Sequence, residues 1–154
     1  MKAQLIFEQR GEKTFAIVFE KGDEAVHGLL EFAQQQKITA AHFTAIGAFK
    51  DVTLGYFKQE LKDYKKIPLP EQVEVLSLVG NIAVQKGKPK VHAHVVVGKS
   101  DGTAHGGHLL EAHVWPTLEV MLVESPAHLQ RQTDKETGLP LIRLEPIQKL
   151  QLGL

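Results

Sequence analysis

The sequence predicts an α+β fold on a mainly antiparallel β-sheet, and three observations carry that prediction. Segments rich in β-branched and aromatic residues outnumber the one segment of helical period, the connections between them have hairpin length, and 154 residues supply one core rather than two. We read residues 1–154 as a single domain with a polar tail from about residue 131.

Taken in order, Thr14 to Glu20 (TFAIVFE) reads as a strand closed by a turn at Lys21-Gly22. The period then changes. Val26, Leu29, Leu30 and Ala33 recur at i, i+3, i+4 and i+7, which predicts a helix over Asp23 to Lys37, with Asp23 as its cap and Glu24 near its positive end. Thr39 to Phe49 and Asp51 to Phe57 predict two strands with a tight corner between them, and the charged stretch Lys58 to Lys66 predicts a solvated hairpin end. VEVLSLVGNIAV, QKGKPK and VHAHVVV read as strand, turn and strand; Ser100-Asp101-Gly102 forms the next turn, with Gly102 at the left-handed position. A further strand begins near Thr103, Pro116 separates it from another at Leu118 to Glu124, and Leu139 to Leu144 adds an edge segment.

Composition narrows the chemistry. Eighteen Lys and Arg balance eighteen Asp and Glu, so the bulk positive charge of a non-specific nucleic-acid binder is missing. With no cysteine there is no disulfide, thiolate zinc site or cysteine nucleophile. Residues Met1 to Glu8 lack a secretory pattern and no run approaches eighteen apolar residues, so we expect a soluble, cytoplasmic protein with no membrane contact. The unusual number is eight histidines.

His92 and His94 stand two apart in a predicted strand, so both imidazoles project from one face while Val91, Ala93, Val95 and Val97 take the core face. With a three-residue loop at Ser100-Asp101-Gly102, Lys99 pairs with Thr103 and His108 falls directly opposite His94. Three imidazoles then converge, a donor set suited to zinc or another divalent transition metal with one position open to water or a small ligand. An H-x-H pair alone is commonly a hydrogen-bonded or surface pair; the third histidine carries the metal reading. His105, three residues before His108, is a reserve ligand. The same register places His105, Glu111 and His113 on the core side, unless a bulge at Gly106-Gly107 or a subunit contact relieves them. His27 and His128 read as surface residues, and His42 and His113 as structurally hydrogen-bonded ones.

Glu111 and Glu119 are the carboxylates nearest this site in sequence, and either could serve as general base in a metal-dependent hydrolase or lyase. The stretch AHVVVGKS satisfies a loose phosphate-loop pattern, but Val95-Val96-Val97 is strand and Asp101-Gly102 is a turn, so the match is rejected. No G-x-S-x-G or G-x-G-x-x-G segment supports a serine hydrolase or dinucleotide enzyme. The mixed face of Leu109 to Trp115 suggests association between copies.

At these residues the chain resembles the PPC family, the "plants and prokaryotes conserved" domain. The matching segments are GDEAVHGLLEFA, AIGAFKDVTLGYF, EVLSLVGNIA, VHAHVVVGKSDGTAHGGHLLEA, PTLEVMLVE and ETGLPLI, nearly the whole chain. The resemblance implies a central antiparallel sheet with flanking helices, a homotrimer, and a metal position at His92, His94 and His108. It also implies a rival function, because plant relatives join this domain to basic AT-hook segments in DNA binding. No Arg-Gly-Arg-Pro hook occurs here, and Lys86, Lys88, Lys90 and Lys99 are the only local basic concentration. The chain departs from the common pattern at His105 and at Ala112-His113.

Overall fold

The computed structural model describes residues 1–144, in which the chain forms nine strands and one helix. In order these are β1 (Lys2–Gln9), β2 (Glu12–Glu20), α1 (Ala25–Gln35), β3 (Ala40–Lys58), β4 (Asp63–Leu69), β5 (Val73–Gln85), β6 (Lys88–Gly98), β7 (Ala104–Glu124), β8 (Gln130–Thr133) and β9 (Pro140–Arg143). The fold class holds, although a single helix stands where several flanking ones were expected among the described residues. The rest of the predicted tail, residues 145–154, lies outside the described residues. None of the described helices is long and apolar enough to cross a membrane.

All strands join one sheet, ordered β1-β2-β7-β3-β5-β8-β9, with β4 on β3 and β6 bonded to both β5 and β7. The pairings β3–β5, β5–β6, β6–β7 and β7–β3 therefore close a ring, and every one of them is antiparallel. Among the described strands only β5 and β8 run parallel. The inward side chains of the long strands, among them Phe43, Val95, Val97, Leu118 and Leu122, form the core against the helix.

Two predicted breaks are bulges in continuous strands. β3 runs unbroken through the expected corner, with its register on β7 shifting between Gly47 and Phe49 and again before Asp51. Pro116 falls where β7 has three residues, 115–117, between the partners of Phe49 and Gly47, so its missing N–H interrupts no ladder bond there. In both cases β3 and β7 flank each other along most of their length, and that shared ladder carries each strand through the irregularity.

The helix also differs in detail. Glu24 is the cap, its carboxylate accepting from the backbone N–H of Val26 and His27 and, at 2.9 Å, from that of Ala112 on β7. Asp23 instead accepts from the Glu20 N–H at 2.8 Å, closing the turn after β2. The buried face is Ala25, Leu29, Phe32 and Ala33, with Val26 and Leu30 at its margin. Gly28 explains the rotation: a Cβ there would lie 2.4 Å from the Phe19 ring, so the helix rests on Phe19 through its smallest residue. Phe32 then meets Phe15 edge-on at 5.2 Å.

A candidate metal centre of three histidines

The hairpin from β6 to β7 is built as its loop chemistry requires. Lys99 N–H donates to Thr103 O at 2.9 Å, Gly102 takes φ +82°, and Asp101 accepts from both the N–H and the hydroxyl of Thr103. The resulting register places His94 opposite His108 and Val97 opposite His105. The rejection of a phosphate loop is equally plain, since Lys99, at the hairpin loop, pairs at 2.8 Å with Glu71 of the β4–β5 connection.

On the face away from the helix, the ring centroids of His92, His94 and His108 lie 5.2 to 5.5 Å apart. One ring nitrogen from each comes within 4.8 Å of the others. Ligand nitrogens around tetrahedral zinc stand about 3.3 Å apart, so small ring rotations suffice to gather them. Burial, reinforced by the neighbouring His92 and His94, pushes the His108 pKa down to about 4. Burial, with Arg131 and His94 adding to it, also lowers that of His92. A neutral imidazole keeps the lone pair that a metal needs. The Nδ1 atom of His108 is buried and has no hydrogen-bond partner, which is costly for a polar atom unless something binds it. By donor type, spacing and this orphaned atom, the three residues fit a divalent transition metal.

Two neighbours of the triad come from segments read as solvated. Tyr64, on β4, stacks on the His108 ring at 4.6 Å and 25°, and Phe57 supports it edge-on at 5.4 Å. Gly55 makes the room: it pairs with His108, and a Cβ there would lie 2.8 Å from the Tyr64 ring. Arg131, on β8, is 8% exposed; its Nη1 donates to Pro140 O at 2.8 Å and its Nη2 to Asn81 Oδ1. Asn81 is the β5 partner of His92, so this contact ties the tail to the site.

The other candidates fall elsewhere. The bulge that reverses alternation sits at Leu110, where β7 shifts register on β3, and not at Gly106-Gly107, which pair regularly with Val96 and Val95. Beyond Leu110 the core positions become Ala112 and Val114, so Glu111 and His113 turn outward and only His105 stays on the core side. His105 therefore points away from His108 and is not in the ligand cluster. Glu111 is 60% exposed with one oxygen 3.9 Å from His113, and Glu119 is exposed between Val18 and Ile46; neither belongs to the cluster. His113 bonds Asp51 at 2.6 Å, which raises its pKa, and His128 meets the Thr39 hydroxyl at 2.6 Å. His27 and His42 are exposed.

Surface patterns are likewise redistributed. Lys86 and Lys88 lie at one end of β6 and Lys99 at the other, about 35 Å apart along an extended strand, so the four lysines form no single patch. The Leu109 to Trp115 stretch is no open apolar face, because Leu109, Ala112 and Val114 are buried in the chain's own core and Lys21 lies 3.8 Å over the Trp115 ring. The open apolar surface is instead Val18, Ile46, Leu76, Val79, Val96 and Met121, 40% to 62% exposed on the side of the sheet that carries the triad. Val79 is the direct partner of His94.

Comparison with known proteins places this arrangement among relatives. The family model described as the Plants and Prokaryotes Conserved (PCC) domain matches residues 7–126. A crystal structure of a plant- and prokaryote-conserved protein of Pyrococcus horikoshii is 35% identical, with TM-score 0.81 over 87% of this chain and 93% of that one. A metal-containing protein of Archaeoglobus fulgidus is 38% identical, with TM-score 0.79 over 92% of this chain and all of the other. A candidate DNA-binding protein of Bacteroides thetaiotaomicron is 27% identical, with TM-score 0.80 over 89% of this chain and 94% of that one. Among curated sequences, the bifunctional protein GlmU of Synechococcus is 30% identical over 129 residues, but the chain spans only about a fifth of its length.

Proposed function

Since the chain belongs to the Plants and Prokaryotes Conserved domain family, we propose that it is a homotrimer in which His92, His94 and His108 hold one divalent metal, zinc by preference, in each subunit. The observation that carries this reading is the buried, unpartnered Nδ1 of His108 among three converging rings. The 38% identical Archaeoglobus protein, which contains metal, supports it. The open apolar field from Val18 to Val96 supports the association, since exposed patches of this kind mark contact surfaces.

The test is metal content. Protein purified without a histidine tag should carry about one zinc per chain, and the His92→Ala/His94→Ala double variant should carry none; equal content in both defeats the reading. Light scattering should give three times the 17.1 kDa chain mass, and a monomer mass at micromolar concentration contradicts the trimer.

A bound ion would supply Lewis acidity and a water acidified toward neutral pH. Hydrolysis or lyase chemistry at such a site needs a general base, for which Glu111 and Glu119 are the carboxylates nearest His108 along its strand. Glu111 lies three residues from His108, about 10 Å along the strand, beyond direct contact. A carboxylate therefore has to approach from another copy or act through the substrate. Glu111→Gln and Glu119→Gln with unchanged turnover would remove both from the reaction.

DNA binding is the second reading, favoured by relatives described as candidate DNA-binding proteins. Zero net charge and divided lysines speak against it. Mobility shift with duplex DNA at two salt concentrations separates the readings, and no binding at low salt eliminates this one.

A further inference from the structure

A cleft of about 190 Å³ opens beside the triad, with His92, His108, Lys90, Arg131, Leu139 and Leu141 among its lining. Arg131 is the anomaly. The residue is more than nine-tenths buried, yet both of its hydrogen-bond partners are neutral, the Pro140 carbonyl and the Asn81 amide oxygen. Its Nε is buried without a partner, and no ion pair joins it to a carboxylate among the described residues. Burying a cation without a counter-charge is unfavourable, and a guanidinium is the side chain best shaped to grip a carboxylate or phosphate. Lys90, on the strand face that bears His92, adds a second cation to the same cleft.

We infer that this cleft binds a small organic acid, whose carboxylate pairs with Arg131 and Lys90 and whose second oxygen reaches the position left open beside His92 and His108. The second contact rests on the metal reading above; the carboxylate contact does not. The cleft is small, about 190 Å³, a size suited to a carboxylate with a few carbons. Leu139 and Leu141 give a carbon skeleton an apolar wall that inorganic phosphate does not need.

The experiment uses the full chain, its zinc content measured first, with 3-hydroxybutanoate as the probe and the side-chain Nε–H resonance of Arg131 as the readout. The acid should shift that resonance saturably, while its uncharged amide should not. Lys90→Gln, at an exposed position, should weaken binding roughly three- to tenfold, the loss expected of one charge-assisted contact in partial solvent. Zinc-loaded protein should bind the acid several-fold more tightly than chelator-treated protein. No Arg131 response in zinc-loaded protein overturns the inference and leaves the metal reading standing. An equal response to the amide, or a stronger one to inorganic phosphate, overturns the organic-acid assignment. A protein that takes up no zinc but keeps the Arg131 response overturns the metal reading and the second contact alone.

Discussion

Acidifying the metal-free chain should expose the energetic consequence of burying His108. In the folded state its pKa sits near 4, against about 6.5 for an ordinary imidazole, with burial the main cause. Between those values the unfolded chain binds a proton that the folded chain refuses, so stability falls as pH drops through this window and is fully recovered above it. The difference between those two values corresponds to at most about 3.4 kcal/mol, and because the residue is only partly buried we expect about 1–2 kcal/mol in practice. Chemical denaturation of chelator-treated protein from pH 7.5 to 4.5 measures this directly. Carboxylates contribute their own slope at the acid end, so the comparison is with His108→Gln, which keeps them and removes the imidazole. The wild type should lose about 1–2 kcal/mol more than the variant across the range. Parallel curves would refute the claim that His108 is held neutral by its surroundings.

Other substitutions probe the supports. Tyr64→Ala removes the ring stacked on His108 and should lower zinc affinity roughly tenfold, whereas Tyr64→Phe, which keeps the stack, should stay within about threefold by competition with a chromogenic chelator. Gly28→Ala should destabilise the protein by about 1 kcal/mol despite alanine's better helix propensity, because the new Cβ meets the buried Phe19 ring; a stabilised variant in thermal unfolding would show that the helix shifts freely. Ile46→Asp and Met121→Asp alter exposed positions and should leave the fold intact while reducing the light-scattering mass to that of one chain.

The histidine cluster was legible because its geometry is local. Strand alternation sends His92 and His94 to one face, and a three-residue loop of known chemistry fixes where His108 arrives. Tyr64 and Arg131 were not legible, since they reach the site through β3 and β5, and nothing near them in sequence names the partner. Gly55 is the faint signal for Tyr64: a glycine inside a β-branched run marks a close approach, though not of what. Arg131 sits in a polar stretch that composition assigns to solvent. The Leu110 bulge escaped for a related reason, because β7 answers to two partners and its register shift is visible only against β3. The helix was found by its period, but the face it buries was decided by Gly28 against Phe19, a contact between elements.

The closed circuit of β3, β5, β6 and β7 has a bearing on when the site can come into being. His108 is the residue of β7 that stands opposite His94 of β6 on one flank and opposite Gly55 of β3 on the other. A chain synthesised only as far as Val97 owns two of the triad's three imidazoles and lacks the third. If the triad takes up an ion as proposed, uptake waits until β7, the last arc of the circuit, has been laid down.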